Sequence, residues 1–137
     1  MGRVLITGAT GGIGFALVAA LASGGHKVIV LGRESERLHE LEASGARLLA
    51  VDLREPERIA EAVGEIGGLD ALIHCAGFSA IAPVADTSPA IWRETLMVNV
   101  ASAAELTRPG RTGRGRLRAE HHVALRSAQG GKCSLDR

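Results

Sequence analysis

A glycine-rich turn near the start constrains this chain more than any other feature. A short apolar run over residues 3–6 breaks into Thr7-Gly8-Ala9-Thr10-Gly11-Gly12-Ile13-Gly14, and an Ala- and Leu-rich stretch follows to Ser23. A strand that passes through a tight glycine turn directly into a helix opens a βαβ unit. Gly8 lets the chain turn sharply. Gly12 removes a Cβ where the backbone must approach a pyrophosphate, and Gly14 lets the helix pack closely on the strand. Thr10, Gly11 and Ile13 complete a turn whose free N–H groups, with the positive end of the helix dipole, suit phosphate oxygens. The alternative is a plain flexible turn. The strand and helix on either side favour a dinucleotide site.

The same alternation continues down the chain. Residues 12–23 read as a helix stopped by Gly24-Gly25, and 27–31 (KVIVL) as a buried strand. Residues 35–43 place Leu38 and Leu41 on one helical face. Residues 47–51 form a third strand. Residues 56–66 form a third helix with Pro56 in its first turn, and 69–73 a fourth strand. A loop from 77 to about 88 leads through Ser88-Pro89 into a fourth helix that runs to about Thr107. Alternating strands and helices predict an α/β fold: a Rossmann-like, doubly wound parallel sheet of about four strands in the order 3-2-1-4.

The pattern breaks at Arg108-Pro109-Gly110. Residues 1–107 carry 8 basic and 13 acidic side chains, whereas 108–137 carry 8 basic and 2 acidic, so the net +1 of the chain hides a split. Seven of the last thirty residues are Arg and five are Gly, with no sustained period. The domain expectation is therefore a partial dinucleotide-binding domain over 1–108 and an irregular Arg/Gly-rich tail over 109–137, disordered or foreign to the domain. An RNA-binding arm is disfavoured, because no aromatics interleave with the arginines. His121-His122 alone is a poor metal site, and Ser127 and Ser134 have no recognisable base. No metal is expected.

No secretory signal precedes the first strand, and no apolar stretch approaches the ~18 residues expected of a spanning helix. Cys75 and Cys133 show no ligand spacing. Together these predict a reduced, cytoplasmic, non-membrane protein.

Cofactor choice turns on the end of the second strand. An NAD site places Asp or Glu there to bond the ribose 2′-OH. Here the residues are Leu31-Gly32-Arg33. A guanidinium can grip a 2′-phosphate with a bidentate fork, so NADP(H) is expected over NAD(H). The alternative is an exposed Arg opening a charged helix.

These motifs resemble the N-terminal half of the short-chain dehydrogenase/reductase family. The turn fits both the TGxxxGxG pattern of the common branch and the TGxxGxxG pattern of the extended branch. His74-Cys75-Ala76-Gly77 occupies the place of the family's Asn-Asn-Ala-Gly segment, with Ala76 and Gly77 matching and His74 and Cys75 departing. The resemblance implies that Cys75, Ala76 and Gly77 border the cofactor ribose. It implies that Asp52 meets the adenine amino group beside Leu53, although N-capping of the third helix suits Asp52 equally. His74 reads as a strand-end histidine with satisfied hydrogen bonds rather than as a catalyst. Trp92-Arg93-Glu94-Thr95-Leu96-Met97-Val98-Asn99 resembles the family's fourth helix and favours the common branch. Asn99 falls on its signature position, where the family orders a water near a catalytic Lys.

Family chemistry also needs a Tyr as general acid/base and a Lys four residues later, which lowers the Tyr pKa. This chain contains no Tyr, and Lys132 is its only Lys after Lys27. The resemblance covers about residues 3–108. The expectation is a truncated NADP(H)-dependent oxidoreductase that keeps cofactor binding and lacks turnover on its carbonyl or alcohol substrate. The tail would be a shifted-frame segment, and the alternative is a non-catalytic NADP(H) sensor. The fourth strand would then be a long bare edge and the fourth helix would expose Leu96 and Val100, favouring self-association and poor stability.

Overall fold

The computed structural model of the chain describes residues 1–108. The expectations for 109–137, including His121, His122, Ser127, Lys132, Cys133 and Ser134, lie outside the described residues.

Four strands, β1 (Arg3–Thr7), β2 (Lys27–Gly32), β3 (Arg47–Ala50) and β4 (Ala71–His74), form one sheet in the order β3-β2-β1-β4. Each neighbouring pair is parallel, and Thr7 stands in register with both Leu31 and His74. Parallel neighbours need crossover connections. These are α1 (Gly12–Ser23), α2 (Glu36–Ala43) and α3 (Pro56–Gly64). The result is the Rossmann-like doubly wound sheet expected.

The strands are apolar on both faces because helices cover both. Val4, Ile6, Val28 and Val30 pack with Val18, Leu38 and Leu41 of α1 and α2 on one side. Leu5, Ile29 and Leu31 pack on the other side with Ile59 and Val63 of α3 and with Leu106. Helix starts follow their residue chemistry. The Ser35 hydroxyl accepts the Leu38 N–H at 3.3 Å, and the Ser88 hydroxyl accepts the Ile91 N–H at 3.4 Å.

Two readings are corrected. The helix expected to run unbroken to Thr107 is three segments: α4 (Pro89–Leu96), a π-helical turn (Met97–Ala101) and α5 (Ser102–Thr107). Ser102 donates its hydroxyl to the Val98 carbonyl at 2.6 Å, and Thr95 donates to Ile91 at 2.8 Å. Back-bonding of this kind bends helices, and single π turns gather at functional sites. The fourth strand runs from Ala71 to His74 rather than over 69–73, because it pairs only as far as β1 extends; Leu69 is buried just ahead of it. Its edge is therefore shorter than expected. A 3-10 turn (Val84–Asp86) occupies the loop before α4.

β4 pairs only with β1 among the described residues, and all four of its residues are half-exposed. Leu96 and Val100 are each 58% exposed, as the apolar stripe predicts. No helix among the described residues is long and apolar enough to cross a membrane.

Candidate functional site

Because all four strands are parallel, their C-terminal ends lie along one edge of the sheet. Helices leave β1 and β4 on opposite faces, which opens a crevice there, the usual ligand position in doubly wound sheets. Thr7, Arg33, Asp52 and Cys75 all sit at or just beyond those ends.

The three glycines of the turn divide by role. Gly8 has φ +69°, and a Cβ there would collide with the backbone of Cys75 and Ala76. A Cβ at Gly14 would strike the Gly8 carbonyl oxygen and come within 2.8 Å of Ala9 Cα. Both glycines are spent on internal packing. At Gly12 a Cβ would meet nothing within 4 Å. The turn closes through the Gly11 N–H, which donates to the Gly8 carbonyl at 3.1 Å. Gly11 caps α1 without a side chain, so the first-turn N–H groups of Gly12, Ile13 and Gly14 stand ready for an external acceptor. Gly11, Gly12 and Ile13 are exposed, and Thr10 is half-buried beside them. An open cradle of amides at a helix start fits a pyrophosphate.

Thr7 was not singled out from sequence. Its side chain is buried, and its hydroxyl oxygen accepts the Ala76 N–H at 3.3 Å while its carbonyl accepts the Cys75 N–H at 3.2 Å. The two halves of the crevice are thereby pinned together. A polar residue at the last position of an otherwise apolar strand was the available signal.

On the second-strand side, Arg33 is exposed just past β2. Asp52 is half-buried and does not cap α3; that helix begins at Glu55 without a side-chain cap. The Asp52 carboxylate accepts the Arg54 N–H at 2.9 Å, as in an Asx turn, and is bridged by the Arg54 guanidinium at 2.5–3.1 Å. These Arg54 hydrogen bonds hold the Asp52 carboxyl below its ordinary range, outweighing its partial burial, and the Arg33 charge adds to the effect. Leu53 is buried in the core, so only its main chain is left to touch a ligand.

On the fourth-strand side, Asn99 lies inside the π turn. Its Oδ1 accepts the Phe78 N–H at 2.8 Å, and its Nδ2 donates to the Phe78 carbonyl at 2.7 Å. This two-point clamp ties the strand exit to the helix and explains why an Asn is needed there. Gly77 lies against it: a Cβ at Gly77 would come within 3.6 Å of Asn99 Oδ1. His74 Nε2 is 3.2 Å from the Thr107 hydroxyl, and burial holds its imidazole below the ordinary value. Burial also pushes the Cys75 thiol up, so it is uncharged at neutral pH. Neither is an activated group. The structure thus gathers the turn, Cys75, Ala76, Gly77 and Asn99 on one side of the crevice, and Arg33 and Asp52 on the other. No cluster of three or more His, Cys, Asp or Glu among the described residues could hold a metal.

A family profile described as short chain dehydrogenase matches residues 2–110. The dehydrogenase/reductase SDR family member 7B of Bos taurus is 34% identical, over 96% of this chain and 45% of the bovine protein. The uncharacterized oxidoreductase YvrD of Bacillus subtilis is 37% identical, over 77% of this chain and 43% of its own length. The chain thus spans less than half the length of these relatives. Among solved structures, L-sorbose reductase from Gluconobacter frateurii complexed with NADPH and L-sorbose superposes with a TM-score of 0.69 at 29% identity, covering 77% of this chain and 44% of that one. A short-chain dehydrogenase from Streptomyces avermitilis gives 0.73 at 29% identity, over 78% and 42%. The same sheet, carrying the same turn through residues 2–110, makes this chain a member of the short-chain dehydrogenase/reductase family.

Proposed function

We propose that this chain is the NADP(H)-binding half of an oxidoreductase of the common short-chain branch, acting on a small carbonyl or alcohol. A bound nicotinamide supplies or accepts the hydride. The observation that carries this reading is the open amide cradle at Gly12, with Arg33 in place of a carboxylate at the end of β2. The cradle takes the pyrophosphate, Arg33 the 2′-phosphate, and Asp52 with Leu53 the adenine. Cys75, Ala76 and Gly77 border the ribose, held by Asn99. A crystallised relative carries NADPH in its title complex, which supports the choice of cofactor.

In this reading residues 1–108 are the cofactor domain of a cytoplasmic protein, and 109–137 stand apart from it. The bare edge of β4 and the apolar stripe of α4 are surfaces for self-association. A second reading is a non-catalytic NADP(H)-binding protein, and the absence of any Tyr in the chain favours it. Both readings expect binding without turnover from the chain as it stands.

Calorimetric titration of the chain with NADPH and NADH tests the cofactor assignment. NADPH should bind tighter, and Arg33→Ala should close the gap by removing about 1.5–3 kcal/mol of charged hydrogen bonding. Equal affinities in the parent chain would contradict the NADP(H) assignment.

A further inference from the structure

Arg54 is the one residue that joins both walls of the crevice to Asp52. Its Nε lies 3.0 Å from Asp52 Oδ1 and 3.1 Å from Oδ2, and its Nη2 lies 2.5 Å from Oδ2. Its own N–H fixes Oδ1 at 2.9 Å, and its Nη1 reaches Glu94 Oε1 of α4 at 3.3 Å. An exposed ion pair of this kind contributes little to stability, so its geometry matters more than its energy. A planar guanidinium gripping both oxygens leaves the carboxylate one rotamer. It also leaves acceptor capacity. A carboxylate offers about four lone-pair sites, and Arg54 takes both on Oδ1 and one on Oδ2.

We propose that Arg54 is a positioning residue that locks the Asp52 carboxylate and ties it to α4 through Glu94, leaving one Oδ2 lone pair aimed as a fixed acceptor for the adenine 6-amino group. This rests on the NADP(H) reading above and adds to it the residue that sets base discrimination. A free carboxylate could swing to serve either a 6-amino base or the N1–H of a 6-oxo base. A locked one serves the 6-amino base and repels the 6-oxo oxygen. The lock therefore converts a general acceptor into a selective one.

The probes are NADPH and its deamino analogue, which carries hypoxanthine in place of adenine, titrated against the full chain. The parent should prefer NADPH by about tenfold, the value of one hydrogen bond to a charged group. Asp52→Asn should erase or invert the preference, because its amide can donate to the 6-oxo oxygen. Arg54→Ala should cut the preference to about twofold while far-UV circular dichroism stays unchanged. Arg54→Lys should not restore it, since an ammonium cannot grip both oxygens. A full preference retained in Arg54→Ala but lost in Asp52→Asn would overturn the positioning role. No preference in the parent, with NADPH still bound, would overturn base reading by Asp52 and leave cofactor binding standing. Failure of NADPH to bind at all would remove the cofactor reading and this inference together.

Discussion

The two ends of the sheet are built to different standards. In β1 and β2, Leu5, Ile6, Val30 and Leu31 are fully buried, sealed on one face by α1 and α2 and on the other by α3 and Leu106. In β4 no residue is fully buried, and beyond it Trp92, Leu96 and Val100 turn 47–58% of their surfaces outward. Ile81 and Val84, in the segment between, are 82% and 79% exposed. The contrast teaches that residues 1–74 close a core around the phosphate turn without help from the α4 side. What stands on the α4 side is held mainly by specific polar clamps: Asn99 to Phe78, Arg54 to Glu94, and His74 to Thr107.

The sharpest way to break this comparison is to truncate one apolar side chain in each region. Leu5→Ala should cost about 2–5 kcal/mol in urea unfolding, because a buried leucine leaves a cavity. Leu96→Ala should change stability by no more than about 0.5 kcal/mol. Similar costs for both would show that the α4 face is covered in solution. Asn99→Ala should come next, at about 1–3 kcal/mol, since it removes two hydrogen bonds and leaves the Phe78 backbone without its partner. Hydrogen exchange at 77–79 should rise while that of β2 stays unchanged. Uniform exchange across both regions would mean that the clamp is not local.

The smallest effect concerns pH. Burial lowers the folded-state pKa of His74, so the unfolded chain takes up its proton first. The His74 contribution to stability is complete above about pH 6.5 and declines as pH falls through that value toward the folded pKa, at no more than about 1.4 kcal/mol per unit. His74→Gln should flatten that part of the profile. An unaltered slope would place the proton uptake elsewhere.

Much of the better-packed region was legible in the sequence. Val4, Ile6, Val28 and Val30 alternate with Leu5, Ile29 and Leu31, and continuous apolar strands read as parallel and doubly covered. Ser35 and Ser88 announced their helices. The α4 side was legible only in outline. The π turn at Met97–Ala101 leaves no mark on hydrophobic periodicity, because a one-residue widening barely rotates the apolar face. The pairing of Arg54 with Glu94 spans 40 residues, and that of Asn99 with Phe78 spans 21, so no local pattern encodes either. For Asp52 the sequence left helix capping and adenine contact equally open. Its capture by Arg54 two residues on excludes the first.

The central claim is that the glycine turn holds a dinucleotide pyrophosphate. Gly12 is the position at which a side chain is free to occupy that space without disturbing the fold, since a Cβ there meets nothing within 4 Å. The most direct measurement is therefore calorimetric titration of NADPH into the parent chain and into Gly12→Val, with circular dichroism to show that both are folded. The account predicts saturable binding to the parent and none to the folded variant. Unchanged binding in folded Gly12→Val would show that the cofactor sits elsewhere.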